Sequence, residues 1–261
     1  MKALLIAGGG KFGKKALDFA QDRKYHTIII DNNPECLATK YVHNTFNKLE
    51  DLLEVYRNST EAKLFLLLSN ISIINKILLE TEIKFEYVIP VVPIHLTALI
   101  TKSYLKNNSY ELIPAEDLCS QSVPNLKKDI LLNHNCEKGV VYLSYAKKDE
   151  TCPDDCPGPP KYCPNFEREK PITITKYIQT FYNVSKTFNL LEKEGKLVIT
   201  IHSFQLKPGL GGLKGKDLYM ILSELSHNLE SVRKNRMKFI IGTSCNCHGV
   251  LNYFKPLNTS S

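Results

Sequence analysis

The chain has 261 residues, of which 43% are hydrophobic and 23% charged; that is the balance of a soluble globular protein with core enough for one large domain or two ordinary ones. Its net charge of +7 invites a nucleic-acid partner, but only Arg23, Arg57, Arg168, Arg233 and Arg236 carry the guanidinium fork on which base readout depends, and the other positive residues are scattered lysines. Specific nucleic-acid binding is therefore excluded, and the apolar run at 3–7, which stops at three glycines, is too short for a signal peptide or a membrane span; the location expected is cytoplasmic.

Taken in chain order, a strand is predicted over 2–7, ending at Gly8, Gly9 and Gly10. A helix follows over 12–23, with Ala16, Leu17 and Ala20 on one face, then a β-branched strand over 26–30 ending at Asp31. The pattern continues with a helix at 49–56, strand at 63–68, helix at 71–80, strand at 87–92, helix at 95–105 and short strand at 110–113. Alternation of this kind needs crossover connections and a parallel sheet covered on both faces. Beyond Cys119 the pattern loosens. A strand at 139–145 runs into a Pro/Cys/Asp-rich loop at 150–171, and a helix is expected over 172–191. A strand at 197–202, a glycine-rich loop at 207–216, a helix at 217–233 and a strand at 238–241 then read as a second βαβ unit. The fold class expected is α/β: a Rossmann-like parallel sheet over 1–116, and a second α/β domain over 117–261 that carries a cysteine metal-binding cluster.

Gly8, Gly10 and Gly13 fit G-x-G-x-x-G between a strand and a helix. The first glycine permits the tight turn, the second lets a phosphate approach the backbone, and the third lets helix and strand pack closely. An anion would sit on the free N–H groups at the helix N-terminus. Asp31, at the end of the second strand, is placed to accept hydrogen bonds from ribose hydroxyls, which favours NAD(H) over NADP. The cofactor-binding set expected is Gly8, Gly10, Lys11, Phe12, Gly13 and Asp31. Residues 1–34, through Gly9-Gly10-Lys11-Phe12-Gly13 and Ile30-Asp31-Asn32-Asn33-Pro34, resemble the TrkA-N (RCK) nucleotide-binding domain of potassium-channel regulators. Gly8-Gly9-Gly10 is also similar to the N-terminal dehydrogenase domain of siroheme synthases. The resemblance implies NAD(H), or a related adenine nucleotide, at Gly8, Gly10, Gly13 and Asp31.

Of the eight cysteines, Cys36, Cys119 and Cys136 stand alone and are read as small buried hydrophobes. The others form two groups, Cys152-x3-Cys156-x6-Cys163 and Cys245-x-Cys247-His248. Soft thiolates gathered in this way suit zinc or an iron–sulfur cluster. Each group follows a predicted strand, so the two are expected to meet at one sheet edge with Cys152, Cys156, Cys163, Cys245 and Cys247 as the metal set. Four thiolates would fill a centre, leaving one of the pair Cys245 and Cys247 over. Cys247, His248 and His202 are the catalytic candidates: a spare thiol, an acid/base or ligating imidazole beside it, and a histidine at a strand end. The 207–216 loop, with its glycines and lysines, is expected to hold an anionic group of substrate. Together these features point to an NAD(P)-binding oxidoreductase acting on a small molecule; they leave the oligomeric state open, a homodimer included. The alternative is a non-catalytic, RCK-like sensor of redox state or nucleotide with a structural metal.

Overall fold

The computed structural model describes residues 1–257. In chain order its strands and helices are β1 (Ala3–Ala7), α1 (Lys11–Asp22), β2 (His26–Asp31), β3 (Asn44–Phe46), α2 (Leu49–Asn58), β4 (Leu64–Leu68), α3 (Ile74–Glu80) and β5 (Phe85–Pro90). There follow α4 (Leu96–Asn107), β6 (Leu112–Pro114), α5 (Glu116–Ser122), β7 (Leu131–Asn135), β8 (Val140–Ser144), the two-residue strands β9 (Tyr162–Cys163) and β10 (Arg168–Glu169), α6 (Ile174–Phe181) and β11 (Phe188–Leu191). The chain finishes with β12 (Lys196–Lys207), β13 (Leu210–Lys214), α7 (Gly215–His227), α8 (Leu229–Lys234), β14 (Lys238–Ser244) and β15 (His248–Pro256). The class is mixed α/β. Among the described residues no helix is long and apolar enough to cross a membrane.

Two compact units divide the chain, Met1–Leu96 with Leu210–Tyr219, and Thr97–Gly209 with Met220–Ser261. The division thus falls at 96/97 where the sequence placed it at 116/117, and a segment from late in the chain returns to the first unit. In that unit the strands lie in the order β3-β4-β2-β1-β5-β13. All neighbours are parallel except β13, which runs against β5 through Leu213↔Val88 and Lys214↔Tyr87. β1 is buried along its whole length, as a central parallel strand covered on both faces must be. The chain moves outward from β1 to β2 and β4, then returns to the other side of β1 for β5. At such a reversal the loops leaving the carboxyl ends of the two adjacent strands part and open a crevice. The loop 8–10 leaves β1 at that point.

The second unit has a mixed sheet rather than a parallel one. β12 and β14 are parallel, from Lys196↔Lys238 to His202↔Ser244, while β15 runs antiparallel to β14 and β8 antiparallel to β15. β7 extends the sheet beyond β8, β11 lies against β12, and β6 against β15. Ile174 and Ile178 of α6 pack onto Val141, Leu143, Val198, Ile240, Leu251 and Tyr253, all buried. This core is unbroken by charge and drives the unit's folding.

Several expectations for this half are corrected. The helix foreseen over 172–191 stops at Phe181; Asn183 takes a left-handed turn at φ 50°, and 188–191 pairs as β11 with 196–199. Cross-strand pairing overrides a helical pattern there, because Gly195 supplies the left-handed residue (φ 60°) that lets the chain double back. The glycine-rich 207–216 segment is not an open loop. It turns at Gly209 (φ 69°) and then pairs as β13, and a side chain at Gly215 would strike the Phe85 carbonyl at 2.3 Å. Its glycines permit strand pairing and close packing. Finally, Cys119 and Cys136 do not stand alone but form a disulfide with Cα atoms 5.3 Å apart.

Candidate functional site

The first unit builds its candidate site from the loop after β1. Gly8 has φ 111°, and a Cβ there would lie 2.8 Å from the Val91 carbonyl oxygen; a Cβ on Gly13 would lie 2.4 Å from that of Gly8. Both positions admit only glycine. Gly10 differs: a Cβ on it meets nothing within 4 Å, and as the N-cap of α1 it offers no side chain to the helix's first N–H groups. Open space in front of uncapped helix donors is where an anion fits. Asp31 closes the loop from the side. Its Oδ2 accepts from the Gly9 N–H at 2.6 Å and its Oδ1 from the Asn33 N–H at 2.8 Å, leaving one acceptor position on each oxygen for a ribose hydroxyl. Phe12 is 40% exposed, and the Lys11 ammonium lies 5.6 Å from the centre of its ring.

The second unit gathers the five clustered thiols, none of them in a disulfide. β8 and β14 run the same way with the start of β15 between them, Ser144 opposite His248 and Ser244 opposite Gly249. Loops leaving β8 and β14 therefore emerge at one edge even though the sheet is mixed. Cys152 Sγ lies 3.3 Å from His248 Nε2, across 96 residues of chain. Cys245 Sγ accepts from the N–H groups of Cys247 and His248, each at 3.4 Å, and lies 3.9 Å from His248 Nδ1. Cys156 Sγ likewise accepts from Gly158 N and Asn165 Nδ2, both at 3.4 Å. Two donors aimed at one sulfur make a polar cradle of the kind that suits a metal-bound thiolate. Cys163 is buried on β9, facing Arg168 across the two-strand ribbon. Among the described residues no three Cys, His, Asp or Glu side chains stand together in positions that could hold a metal ion.

Electrostatics reinforce the clustering. Burial pushes the Cys152 thiol up to about 11, and the neighbouring Cys156, Cys163, Cys247 and Cys245 sulfurs add to it. Burial also raises Cys247, against a downward pull from Lys170. Partial desolvation of the exposed His248 ring, and after it the Lys170 ammonium, lowers the imidazole pKa, which favours the neutral, ligating form. A soft cation entering this group would displace the thiol protons.

The surroundings hold the cluster in place. The first N–H groups of α6, from Ile174 and Thr175, donate to the carbonyls of Asn246 and Cys245 at 3.2 and 3.3 Å. The Thr175 hydroxyl links to His202 Nδ1 at 2.8 Å and accepts from Ser244 at 3.0 Å. His202 is thereby placed on β12 beside Ser244 and linked through Thr175 to the Cys245 carbonyl. Arg168 grips both carboxylate oxygens of Glu150, at 2.8 and 2.7 Å, and also donates to the Tyr145 carbonyl. That fork closes the cysteine loop and holds the Glu150 carboxyl at about 2. Lys170, only 3% exposed, donates to Cys247 Sγ at 3.0 Å and to the Pro159 carbonyl. Neither Lys170 nor Thr175 is marked by any motif. Their one sequence signal is position, next to Pro171 at the end of the cysteine loop and on the helix that follows.

Residues 103–256 match the family model AF_1314_C, described as "Uncharacterized protein, C-terminal domain", and residues 4–96 match AF_1314_N, described as "Uncharacterized protein, N-terminal domain". The chain belongs to this family. The two models meet between 96 and 103, at the division between the compact units. Neither matching model is a TrkA-N or a siroheme-synthase domain. An Archaeoglobus fulgidus protein described as "Uncharacterized protein" is 28% identical over 251 residues, covering 96% of this chain and 98% of its own length. No solved structure matches.

Proposed function

We propose that this chain is a nucleotide-binding metalloprotein of the oxidoreductase class. Its first unit is a Rossmann-like module that takes NAD(H) on the Gly8–Gly10–Gly13 loop, with Asp31 at the ribose. Its second unit holds zinc or an iron–sulfur cluster through the 152–163 and 245–247 cysteines. One observation carries the reading: Cys152 and the Cys245-x-Cys247-His248 turn, far apart in sequence, come together at one sheet edge. The donors fit the metals proposed. A tetrahedral zinc with sulfur at about 2.3 Å and nitrogen at about 2.0 Å sets those two ligands about 3.5 Å apart, close to the 3.3 Å between Cys152 Sγ and His248 Nε2. Bound metal would polarise substrate or relay electrons, and the nucleotide would accept or deliver hydride. The chain's own contribution is to orient the nucleotide on the α1 N-terminus and to supply thiolates backed by N–H donors.

Anaerobic purification followed by metal analysis and a visible spectrum tests the second unit. A broad absorption bleached by dithionite identifies an iron–sulfur cluster; colourless protein with stoichiometric zinc identifies zinc. Titration with NADH tests the first unit, together with Gly10→Asp, which adds a side chain where nothing lies within 4 Å. The variant should fold and lose at least about tenfold in NADH affinity, about 1.4 kcal/mol. Protein that takes up neither metal nor NADH would refute the reading.

A further inference from the structure

Lys170 carries a buried charge that no carboxylate among the described residues answers. Its ammonium is buried, and its hydrogen-bond partners are the Pro159 carbonyl and the Cys247 sulfur at 3.0 Å. Among the described residues no carboxylate pairs with it. A buried cation is costly unless an opposite charge sits beside it, and lysine is almost never fully buried without such a partner. Glu150 of the cysteine loop is taken by Arg168, and the side chain that Lys170 meets is instead the Cys247 thiol. Cys247 is itself buried, and Asn246 donates to the Gly158 carbonyl at 3.0 Å, drawing the 156–159 segment against the 245–247 turn.

We propose that Lys170 is the resident counter-cation of an anionic metal–thiolate centre to which Cys247 contributes a ligand. The inference rests on the metal reading above and deepens it, since it selects Cys247 for the donor set and names the chemistry of the occupant. A divalent ion carries a net charge of about −1 when held by three thiolates and a neutral histidine and about −2 when held by four thiolates, and a [4Fe–4S]²⁺ cluster with four thiolate ligands also carries about −2. Lys170 offsets one unit of that charge and donates an N–H to a ligand sulfur, an outer contact that tunes affinity and reduction potential. A neutral centre, such as zinc with two thiolates and two histidines, would leave the ammonium uncompensated.

Lys170→Met keeps the volume and removes the charge. Replacing a poorly paired buried ion by an apolar side chain does not by itself destabilise, so the metal-free variant should unfold at the same urea concentration as metal-free wild type, or a higher one. Its metal binding should fall. If the resident metal is zinc, competition with a chromophoric chelator should show a loss of about tenfold or more; if it is an iron–sulfur cluster, the midpoint potential should move negative. Cys247→Ser, with Lys170 left in place, should lose zinc affinity or cluster content similarly, and the double variant should add little to either single change. A lysine that serves only to fasten the Pro159 carbonyl would show the opposite split, with lowered metal-free stability and unchanged zinc affinity or potential. That result overturns the proposal, as does Cys247→Ser with metal binding intact, which decides the matter even if Lys170→Met fails to fold. Wild-type protein that takes up neither zinc nor iron would instead overturn the metal reading itself.

Discussion

Asp31 illustrates how a residue legible in the sequence can acquire a second task in the fold. Its position at the end of β2 gives rise to the ribose expectation, and in the fold its two oxygens fasten the Gly9 and Asn33 N–H groups. Gly8 and Gly13 were readable because a missing side chain is written in the sequence, and the carbonyls that forbid a Cβ sit within the same strand–turn–helix or just across it. His26 was read only as a strand residue. In the fold its Nδ1 accepts from the Lys63 N–H at 3.0 Å and its Nε2 meets the Tyr56 carbonyl at 3.1 Å, so the ring is neutral and singly protonated. Burial, outweighing the Tyr56 contact, lowers its pKa below the ordinary 6.5. The unfolded chain then binds this proton more readily than the folded one, so stability is greatest above pH 6.5 and is lost as pH falls from there through the lower folded-state value. Urea midpoints measured from mildly alkaline to mildly acidic pH should decline in wild type and decline less in His26→Gln. Equal slopes would show that another group is responsible.

At the scale of elements, the cysteine loop is the clearest case of structure set by side chains rather than by secondary-structure pattern. Between β8 and α6 its only ladder is the two-residue pairing of β9 with β10. The Arg168 fork on Glu150 and the Tyr145 carbonyl supplies the closure. Arg168→Gln is expected to cost little stability, since the pair is partly exposed, yet to speed proteolysis within 145–171 and to weaken retention of the proposed metal. Arg168→Lys should not rescue, because an ammonium cannot span both carboxylate oxygens and the carbonyl. Limited proteolysis of the two variants decides it: wild-type cleavage rates in both would show that the fork does not hold the loop. Composition marked 150–171 as a loop, but which arginine closes it was invisible, because the partners lie 18 residues apart with nothing periodic between them. β11 and β13 were misread for a related reason. Strand pairing is settled by the neighbour a segment meets, and that neighbour is not in the local pattern.

For the molecule as a whole, the division at 96/97 recurs as the gap between the two matching family models. A continuous α/β reading carried the boundary too far, since α4 continues the helical alternation while already belonging, from Thr97 onward, to the second unit. The Cys119–Cys136 disulfide ties α5 to the end of β7 within that unit, at a separation of 17 residues. Closing a loop of that length restricts the unfolded chain by about 3 kcal/mol. Reduced protein, or Cys119→Ala with Cys136→Ala, should therefore unfold at a lower urea concentration. Coincident unfolding curves for oxidised and reduced protein would show that the bridge contributes nothing.

By itself the sequence determined the alternating elements of the first unit, the glycine turn with its acid, and the two groups of cysteines. Each is written in residue spacing over a few positions, where backbone sterics and helix or strand periodicity act directly. Tertiary structure decided that the second sheet is mixed, that Cys119 and Cys136 are bonded, and that Lys170 lies against Cys247. The disulfide, the Lys170 contact and the β8–β15 pairing join residues 17, 77 and 104 to 112 positions apart. Such contacts are chosen by how whole faces pack, and no local pattern encodes them.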